Sequence, residues 1–301
     1  MSAFMKQFLT GIDLPKEHIP ALVSLCDKLM EHEDFRTLIS RLMAKDYEKI
    51  DELLTAAAQI GEKYGAHPYT SHFLLNAAAA EPLLALYREK GVDEEIYWNS
   101  MRDLKWKFHE CMDRYNIPGS FVAHWFPRFF HMTRFALGRL QFEHTTFNAD
   151  SYCACGVELK RGDDVINIHI PSAGPLTLES RMDAYRRAYR FFKADFEGDI
   201  MPIVCHSWLL YPAHREFLPA HSNILSFMDD FDIIFQREEA PGAFGNNWRV
   251  FGAAADTPME NWPEDTSLRR AYLGWLRAGK PAGNGYGVIL FDGENIVNKK
   301  N

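Results

Sequence analysis

The sequence predicts an α+β protein, with an all-helical N-terminal domain followed by a mixed α/β C-terminal domain. Between residues 16 and 115 the apolar residues follow a helical period, whereas strand-like and helical stretches alternate in the second half of the chain. A break at Pro118 separates the two patterns, so the predicted domains comprise residues 1–118 and 119–301. A length of 301 residues is typical of two domains.

Four stretches predict the helices of the first domain. PALVSLCDKLM and DYEKIDELLTAAAQIGEKYG carry apolar residues at spacings of three and four, and the second stretch ends at a glycine, a common helix terminator. SHFLLNAAAAEPLLALYREKG is apolar on nearly all sides, which indicates a central helix that Pro82 kinks or restarts. IYWNSMRDLKWKFHECMDRYN is the fourth stretch. We expect no strand in this domain.

The second domain is predicted to alternate strands and helices. Strand patterns occur at residues 139–147 and in VELKRG, DVINIHIP, IVCHSWLLYP, DIIFQRE, NWRVFG and YGVILFDG. Helical patterns occur in LTLESRMDAYRRAYRFFKADF, SNILSFMDDF and SLRRAYLGWLRAG. The first of these helices has an apolar stripe that begins with Leu178, Met182 and Tyr185.

Composition excludes several classes of protein. A formal net charge of -8 without a dominant basic stripe argues against a nucleic-acid partner. Five scattered cysteines do not form a disulfide framework. The N-terminus lacks the pattern of a signal peptide, and no apolar run approaches the roughly 20 residues that cross a bilayer. We therefore expect a soluble cytoplasmic protein without a membrane partner.

Four phrases of the sequence carry a resemblance to a known family. They are GRLQFE at 138–143, IHIPSAGPLT at 168–177, CHSWLLYP at 205–212 and SNILSF at 222–227. With the helical half, they resemble bacterial acyltransferase domain-containing proteins that join a helical N-acyltransferase N-terminal domain to a GNAT-like C-terminal domain. The resemblance implies a sheet that splays to admit a pantetheine arm. It also implies acyl transfer from coenzyme A to an amine or another nucleophile, with acyl-coenzyme A as co-substrate and no metal.

The resemblance also places a pyrophosphate-binding loop before a helix. GNAT enzymes carry an R/Q-x-x-G-x-G/A pattern there, whereas this chain has a single glycine and Pro175, which lacks an amide donor. The alternative is an ordinary turn in which Thr177 caps the helix. By position, the residues implied to bind coenzyme A are Ser172, Ala173, Gly174, Leu176 and Thr177.

The catalytic candidates are His169, His206 and Glu143. The two histidines lie on strands that flank the implied acyl cleft, where a histidine can deprotonate an attacking amine. Each could instead be a core histidine bonded to a neighbouring carbonyl. Glu143 lies among apolar neighbours that would raise the pKa of its carboxyl and suit it to act as a base. Its alternative is a salt bridge to Arg139 or Arg134.

Two other chemistries are disfavoured by the sequence. Strand alternation places His206 and Ser207 on opposite faces, and no G-x-S-x-G motif surrounds Ser207, which argues against a serine hydrolase. Cys153 and Cys155 are spaced more closely than zinc ligands usually are, so we interpret this segment as a hairpin turn. We therefore predict an acyltransferase that uses acyl-coenzyme A. The alternative is a non-catalytic protein that binds acyl-coenzyme A or another small ligand on the same fold.

Overall fold

The computed structural model describes residues 2–299, which form two compact units. The first unit ends at Ala136 and the second begins at Leu137. Residues 119–136, which the sequence analysis assigned to the second domain, lie within the first unit. Within the described range, no helix is both long enough and apolar enough to span a membrane.

Helices build the first unit, as the sequence predicted. They are α1 (Ser2–Gly11), α2 (Ile19–Glu31), α3 (Glu33–Ala44), α4 (Ile50–Glu62), α5 (Pro68–Glu89), α6 (Glu94–Met101), α7 (Asp103–Tyr115) and α8 (Pro127–Phe130). The predicted central helix is α5, which contacts α1, α3, α4 and α6 and continues through Pro82. The last predicted stretch is divided at Arg102 into α6 and α7.

The segment from 119 to 136 contacts α5 of the first unit through its backbone. The amide of Ser120 donates to the carbonyl of Tyr69 at 2.9 Å. The side-chain amide of Asn76 donates to the carbonyl of Ala123 at 3.1 Å. These bonds explain why the segment lies with the helices, although its aromatic composition differs from theirs. The sequence pattern could not show them, because they join residues far apart in the chain.

The second unit is a mixed sheet with helices, so the α+β class is confirmed. Its strands are β1 (Arg134–Leu137), which spans the boundary, β2 (Leu140–Thr146), β3 (Ser151–Ala154), β4 (Val157–Lys160), β5 (Asp164–His169), β6 (Met201–Ser207), β7 (Asp232–Glu238) and β8 (Gly283–Phe291). Six of them form a sheet in the order β1-β2-β5-β6-β8-β7, and β3 and β4 form a separate hairpin. Strands β5 and β6 pair in parallel, whereas β6 and β8 pair antiparallel.

Five helices complete the second unit. They are α9 (Leu178–Phe192), α10 (His214–Phe217), α11 (Asn223–Met228), α12 (Asn247–Phe251) and α13 (Ser267–Arg277). The strand predicted in NWRVFG is wrong, because this stretch forms α12. A short apolar run fits a strand and a buried helical turn equally well. Val250 and Phe251 of this run are buried in a core built by residues between β7 and β8.

The sheet has apolar cover on both faces. On one face, the ring of His144 on β2 packs against Phe192 of α9, with 5.1 Å between the ring centroids. On the other face, Val165, Val204 and Val288 pack against hydrophobic side chains that include those of the β3–β4 hairpin. Helix α9 thus packs on one face of the sheet, and polar side chains lie at the ends of the strands.

Strand β6 ends at Ser207, earlier than predicted. Residues Trp208–Leu210 form a 3-10 turn, and the Ser207 hydroxyl accepts a hydrogen bond from the Leu209 amide at 3.2 Å. The prediction that IVCHSWLLYP is a strand throughout is therefore wrong beyond Ser207. Glycines on the neighbouring strand β8 give the turn its room, since a Cβ at Gly285 would lie 2.1 Å from the Leu210 carbonyl oxygen.

Candidate active site

The two parallel strands β5 and β6 part at their carboxyl ends. They pair at only two positions, which join Ile166 to Ile203 and Asn167 to Val204. Beyond these pairs β5 continues to His169 without pairing with β6, while β6 stays paired with β8 to its end. Neighbouring strands normally bond along their shared length, so this parting opens the sheet at one edge of a buried core.

His169 and His206 lie on the two sides of this opening. Each lies two residues beyond the last register pair, Asn167 and Val204, and side chains two residues apart point to the same face of a sheet. The two imidazoles therefore share one face at equivalent heights. His169 is partly buried and His206 is exposed.

Glu143 and His169 form a close pair on that face. Glu143 Oε1 lies 2.6 Å from His169 Nε2, and the side chains are 6% and 21% exposed respectively. The side-chain amide of Asn167 approaches the same nitrogen at 3.0 Å. When the proton is on Nε2, it is donated to the Glu143 carboxylate and Nδ1 is the acceptor nitrogen; when it is on Nδ1, Nε2 accepts from the Asn167 amide. The first tautomer keeps Nδ1 as the basic nitrogen that a histidine base requires.

His206 lies at the exposed rim of the opening, next to a buried tyrosine. Its ring packs edge-on to Tyr286 of β8, with 6.4 Å between the centroids. The Tyr286 hydroxyl accepts a hydrogen bond from the Asn148 amide at 3.3 Å, and burial raises the pKa of this hydroxyl. Tyr286 is therefore neutral at physiological pH, and its ring lies beside His206 at the rim of the opening.

The loop that follows β5 is held by its carbonyl groups. The Arg139 guanidinium donates to the carbonyl oxygens of Pro171 at 2.9 Å, Gly174 at 2.7 Å and Pro175 at 3.2 Å. Burial lowers the pKa of Arg139, yet a guanidinium stays charged at any physiological pH. Gly174 has a φ of +91°, a left-handed conformation that favours glycine. The Ala173 amide also bonds within the loop, to the Pro171 carbonyl at 2.8 Å.

The loop leads into α9 through a capped turn. The Thr177 hydroxyl accepts a hydrogen bond from the Ser180 amide at 3.3 Å, so Thr177 is the N-cap that the sequence suggested. Leu176 is buried, and its carbonyl accepts from the Arg181 guanidinium at 2.8 Å. Ser172, Gly174 and Thr177 are exposed, and Ala173 is partly exposed. Of the five predicted ligand residues, Leu176 alone has its side chain buried.

The structure brings some of the predicted residues together. Glu143 and His169 touch, His206 lies across the opening, and the loop begins directly after β5. Sequence reasoning missed the roles of Arg139 and Arg181, which hold the loop from two sides. Their only sequence signal is a basic residue within or beside an apolar strand or helix stripe. That signal also fits a surface salt bridge.

The Cys153-Ala154-Cys155-Gly156 segment is a hairpin turn, as interpreted from the sequence. It joins β3 to β4, and Cys155 and Gly156 have φ values of 50° and 78°. Two consecutive positive φ values are typical of the tight turns that connect antiparallel strands. Within residues 2–299, no group of three or more His, Cys, Asp or Glu side chains is arranged to hold a metal ion.

Comparison with known proteins agrees with the division into two units. The GNAT-like C-terminal domain family matches residues 135–289, and the N-acyltransferase N-terminal domain family matches residues 3–132. No curated protein sequence matches the chain significantly.

Solved structures of acyltransferases share this fold. An acyltransferase in complex with decanoyl-CoA and teicoplanin is 20% identical, with a TM-score of 0.69 over 94% of this chain and 86% of that one. An acyltransferase mutant in complex with octanoyl-CoA is 19% identical, with a TM-score of 0.70 over the same shares. An acyltransferase with CoA and 10C-teicoplanin is 21% identical, with a TM-score of 0.64 over 94% and 98%.

Proposed function

Because the chain belongs to the family of proteins with a GNAT-like C-terminal domain, here preceded by an N-acyltransferase N-terminal domain, we propose that it is an acyltransferase that uses acyl-coenzyme A. The observation that carries this proposal is the parting of β5 and β6 beside the Glu143–His169 pair. An opening between parallel strands gives an extended thioester arm a place to enter, and the pair supplies a base at its edge.

The reaction requires one proton acceptor and one leaving group. The amine nitrogen of a small-molecule acceptor attacks the thioester carbonyl carbon, the C–N bond forms, and the C–S bond breaks to release the coenzyme A thiolate, which takes up the proton that the amine loses. We assign the amine proton to His169, whose imidazolium the Glu143 carboxylate stabilises at 2.6 Å. We assign to His206, which is exposed at the rim of the opening, the role of contacting the incoming acceptor.

The loop after β5 is the proposed site for the coenzyme A phosphates. It comprises Ser172, Ala173, Gly174, Leu176 and Thr177. Arg139 holds the carbonyls of Pro171, Gly174 and Pro175, which fixes the backbone of the loop that leads into α9. The α9 dipole adds a favourable term of about 0.3–1 kcal/mol per exposed charge. Leu176 contributes through its backbone, since its side chain is buried.

Thermal melting with coenzyme A and with acyl-coenzyme A of rising chain length tests this function. Ligand at 100 times its Kd adds about 2.7 kcal/mol to the free energy of unfolding, which is a visible shift. Gly174→Glu should remove the shift, because a carboxylate enters the loop where open space surrounds the Cβ. Gly198→Glu is the matched control, since Gly198 has a positive φ and equally open surroundings before β6. A wild-type protein that no thioester stabilises contradicts the proposal.

Coenzyme A release from decanoyl-coenzyme A, with primary amines as acceptors, separates catalysis from binding. His169→Gln should lower turnover by about 10²–10⁴-fold, the usual contribution of a general base, while the melting shift remains. His206→Ala should lower turnover more than affinity. His221→Ala, an exposed histidine elsewhere, is the control. A wild-type protein with a melting shift but no release would be the non-catalytic binding protein of the alternative interpretation.

We also propose that the protein works in a reducing, cytoplasmic compartment. All five cysteines are free thiols, and two of them, Cys153 and Cys155, are exposed. Free exposed thiols persist where glutathione keeps them reduced. Fractionation of cells that express the tagged chain tests this location.

A further inference from the structure

Arg181 is bonded directly to the loop proposed to bind the coenzyme A phosphates, and the reaction assigned above gives it no role. Its guanidinium donates to the Leu176 carbonyl at 2.8 Å. The Arg139 guanidinium binds the two preceding carbonyls, those of Gly174 and Pro175. Three consecutive carbonyls of the loop are therefore held by two arginine side chains.

The other donors of the Arg181 guanidinium bind α11 and the segment directly after it. Nε and Nη2 lie 2.6 and 3.1 Å from the two carboxylate oxygens of Asp230. Nη2 also donates to the Ser226 carbonyl at 2.9 Å and to the Ser226 hydroxyl at 3.1 Å. Ser226 belongs to SNILSF, a phrase of the family resemblance to which the proposed reaction gives no role. This phrase is connected to the loop through the Arg181 side chain.

Stability alone does not account for a cation at this position. A buried ion pair contributes little net stability, because the desolvation of both charges offsets their attraction. The N-terminal end of a helix also disfavours a cation, since the helix dipole is positive there. Arg181 is the fourth residue of α9, and its side chain is 0% exposed. The planar fork of its guanidinium adds geometry, because one rigid group joins the Leu176 carbonyl to α11.

We propose that Arg181 is a positioning residue that fixes this loop for coenzyme A, with Ser226 and Asp230 holding its guanidinium. This inference rests on the function proposed above. Without the Arg181 donor, the Leu176 carbonyl loses its bond in a buried place, and the backbone has to move to regain a partner. A displaced loop binds the phosphates of coenzyme A less tightly. The opening between β5 and β6, proposed to take the pantetheine arm, lies outside this network of bonds.

Two thioesters that differ in their phosphates test this role by titration calorimetry. Decanoyl-coenzyme A carries the adenosine phosphate and the pyrophosphate, and S-decanoyl-pantetheine lacks both. Arg181→Lys keeps a positive charge beside Asp230, but an ammonium cannot reproduce the planar fork. Binding of decanoyl-coenzyme A should weaken about tenfold, as the loss of one charge-assisted hydrogen bond implies, while binding of S-decanoyl-pantetheine should change by less than about twofold.

Tyr185→Phe is the matched control for a general loss of stability. The Tyr185 hydroxyl donates to Asp230 at 2.8 Å, so this variant loosens the same buried carboxylate and removes no bond to the loop. It should melt at a lower temperature than wild type and keep the wild-type ratio of the two affinities. A change in this ratio as large as that of Arg181→Lys would show that Arg181 acts through stability alone, and would overturn the inference.

A double variant covers the case in which Arg181→Lys does not fold. Arg181→Met combined with Asp230→Leu replaces the ion pair by apolar side chains, which proteins often tolerate without loss of stability. It should fold and lose affinity for decanoyl-coenzyme A alone. If it does not fold, the pair serves the fold itself and the inference is overturned.

The outcomes separate this inference from the proposed function. A folded Arg181→Lys or double variant that keeps the wild-type ratio of affinities overturns the inference, while the acyltransferase function stands. If wild type binds the two thioesters equally well, the loop is not a phosphate site, and the inference fails together with that assignment. If wild type binds neither thioester, both proposals fail.

Discussion

Arg181 is a full positive charge in the interior of the second unit. Its side chain has 0% exposure, and its guanidinium binds the Asp230 carboxylate at 2.6 and 3.1 Å. Further donors bind the carbonyls of Leu176 and Ser226. The Tyr185 hydroxyl donates to Asp230 at 2.8 Å. A buried ion pair is tolerated only when its remaining groups are bonded in this way, so Arg181 ties the loop before α9 to α11.

We expect Asp230→Asn to destabilise the protein by about 3–5 kcal/mol, because it leaves the Arg181 charge buried without a counter-charge. Asp229→Asn, at the position directly before Asp230, is the matched control. Asp229 is exposed and pairs with Arg215 on the surface, so its loss should cost about 0–1 kcal/mol. Urea denaturation of the three proteins measures both values. Equal midpoints for the two variants would show that the buried pair contributes no more than the surface pair.

His214 is a buried histidine to which the proposed reaction gives no role. Its ring packs against Trp208, Phe217 and Tyr272, and its Nε2 is hydrogen-bonded to the Tyr272 hydroxyl. Burial lowers the pKa of His214 to about 4. The residue is therefore neutral at pH 7, and it joins the segment after β6 to α13.

The free energy of unfolding should fall as the pH is lowered from about 6.5 toward 4. His214 titrates near 6.5 in the unfolded chain and near 4 in the folded one, so acid protonates the unfolded state first. The stability present above pH 6.5 is thus lost on acidification, by about 3 kcal/mol at most. Urea titrations across this range should show a shallower slope for His214→Gln. His221→Gln, at an exposed site, should keep the wild-type slope.

At the scale of elements, strand β8 determines the path of the backbone after β6, at the rim of the opening between β5 and β6. Its sequence GNGYG places Gly285 and Gly287 against the segment that follows β6 and against Phe231. The 3-10 turn from Trp208 to Leu210 lies on this surface directly after Ser207, the last residue of β6. A side chain at Gly285 would push the turn away, so this glycine allows β6 to end at Ser207, one residue after His206.

Gly285→Ala should destabilise the protein by about 1–3 kcal/mol, because the new Cβ would lie 2.1 Å from the Leu210 carbonyl oxygen. Gly274→Ala, in the middle of α13, is a control with no atom within 4 Å of its Cβ. It should stabilise the helix by about 0.5–1 kcal/mol. Thermal melting of both variants checks that the melting temperature falls for Gly285→Ala and rises for Gly274→Ala. A gain in stability from Gly285→Ala would mean that the turn can move freely.

Elements with a long repeating pattern were predicted well, and short ones were not. Helix α9 follows the stripe that begins with Leu178, and its N-cap is the expected Thr177. NWRVFG and the end of IVCHSWLLYP were misassigned as strand. Both are short apolar runs whose conformation depends on packing with distant residues, here the buried core around Tyr272 and the glycines of β8.

At the scale of the whole molecule, the chain forms two compact units. The sequence placed the domain boundary at residue 118, and this boundary stays a prediction. The two compact units of the structure meet at Ala136 and Leu137, and α8 contacts α3 and α5. Phe126, Phe129 and Phe130 in the intervening segment are fully buried.

A fragment of residues 1–136 should melt cooperatively and at a higher temperature than a fragment of residues 1–118. The shorter fragment lacks the Phe side chains that pack on α5, and each buried Phe contributes about 1.5–3 kcal/mol. It also leaves the Tyr69 carbonyl without the Ser120 amide. Thermal melts followed by circular dichroism measure the melting temperatures of the two fragments and so test the two domain boundaries against each other. Equal melting temperatures would support the boundary at residue 118.

The sequence by itself determined the α+β class and the order of most elements, because hydrophobic period is a local property, and four of its phrases resembled the family. It also named Glu143, His169 and His206, whose role stays a prediction. Only the tertiary structure decided that β5 and β6 part beside His169 and that Glu143 lies 2.6 Å from it. Register, burial and partner choice join residues far apart in the chain, so no local pattern encodes them.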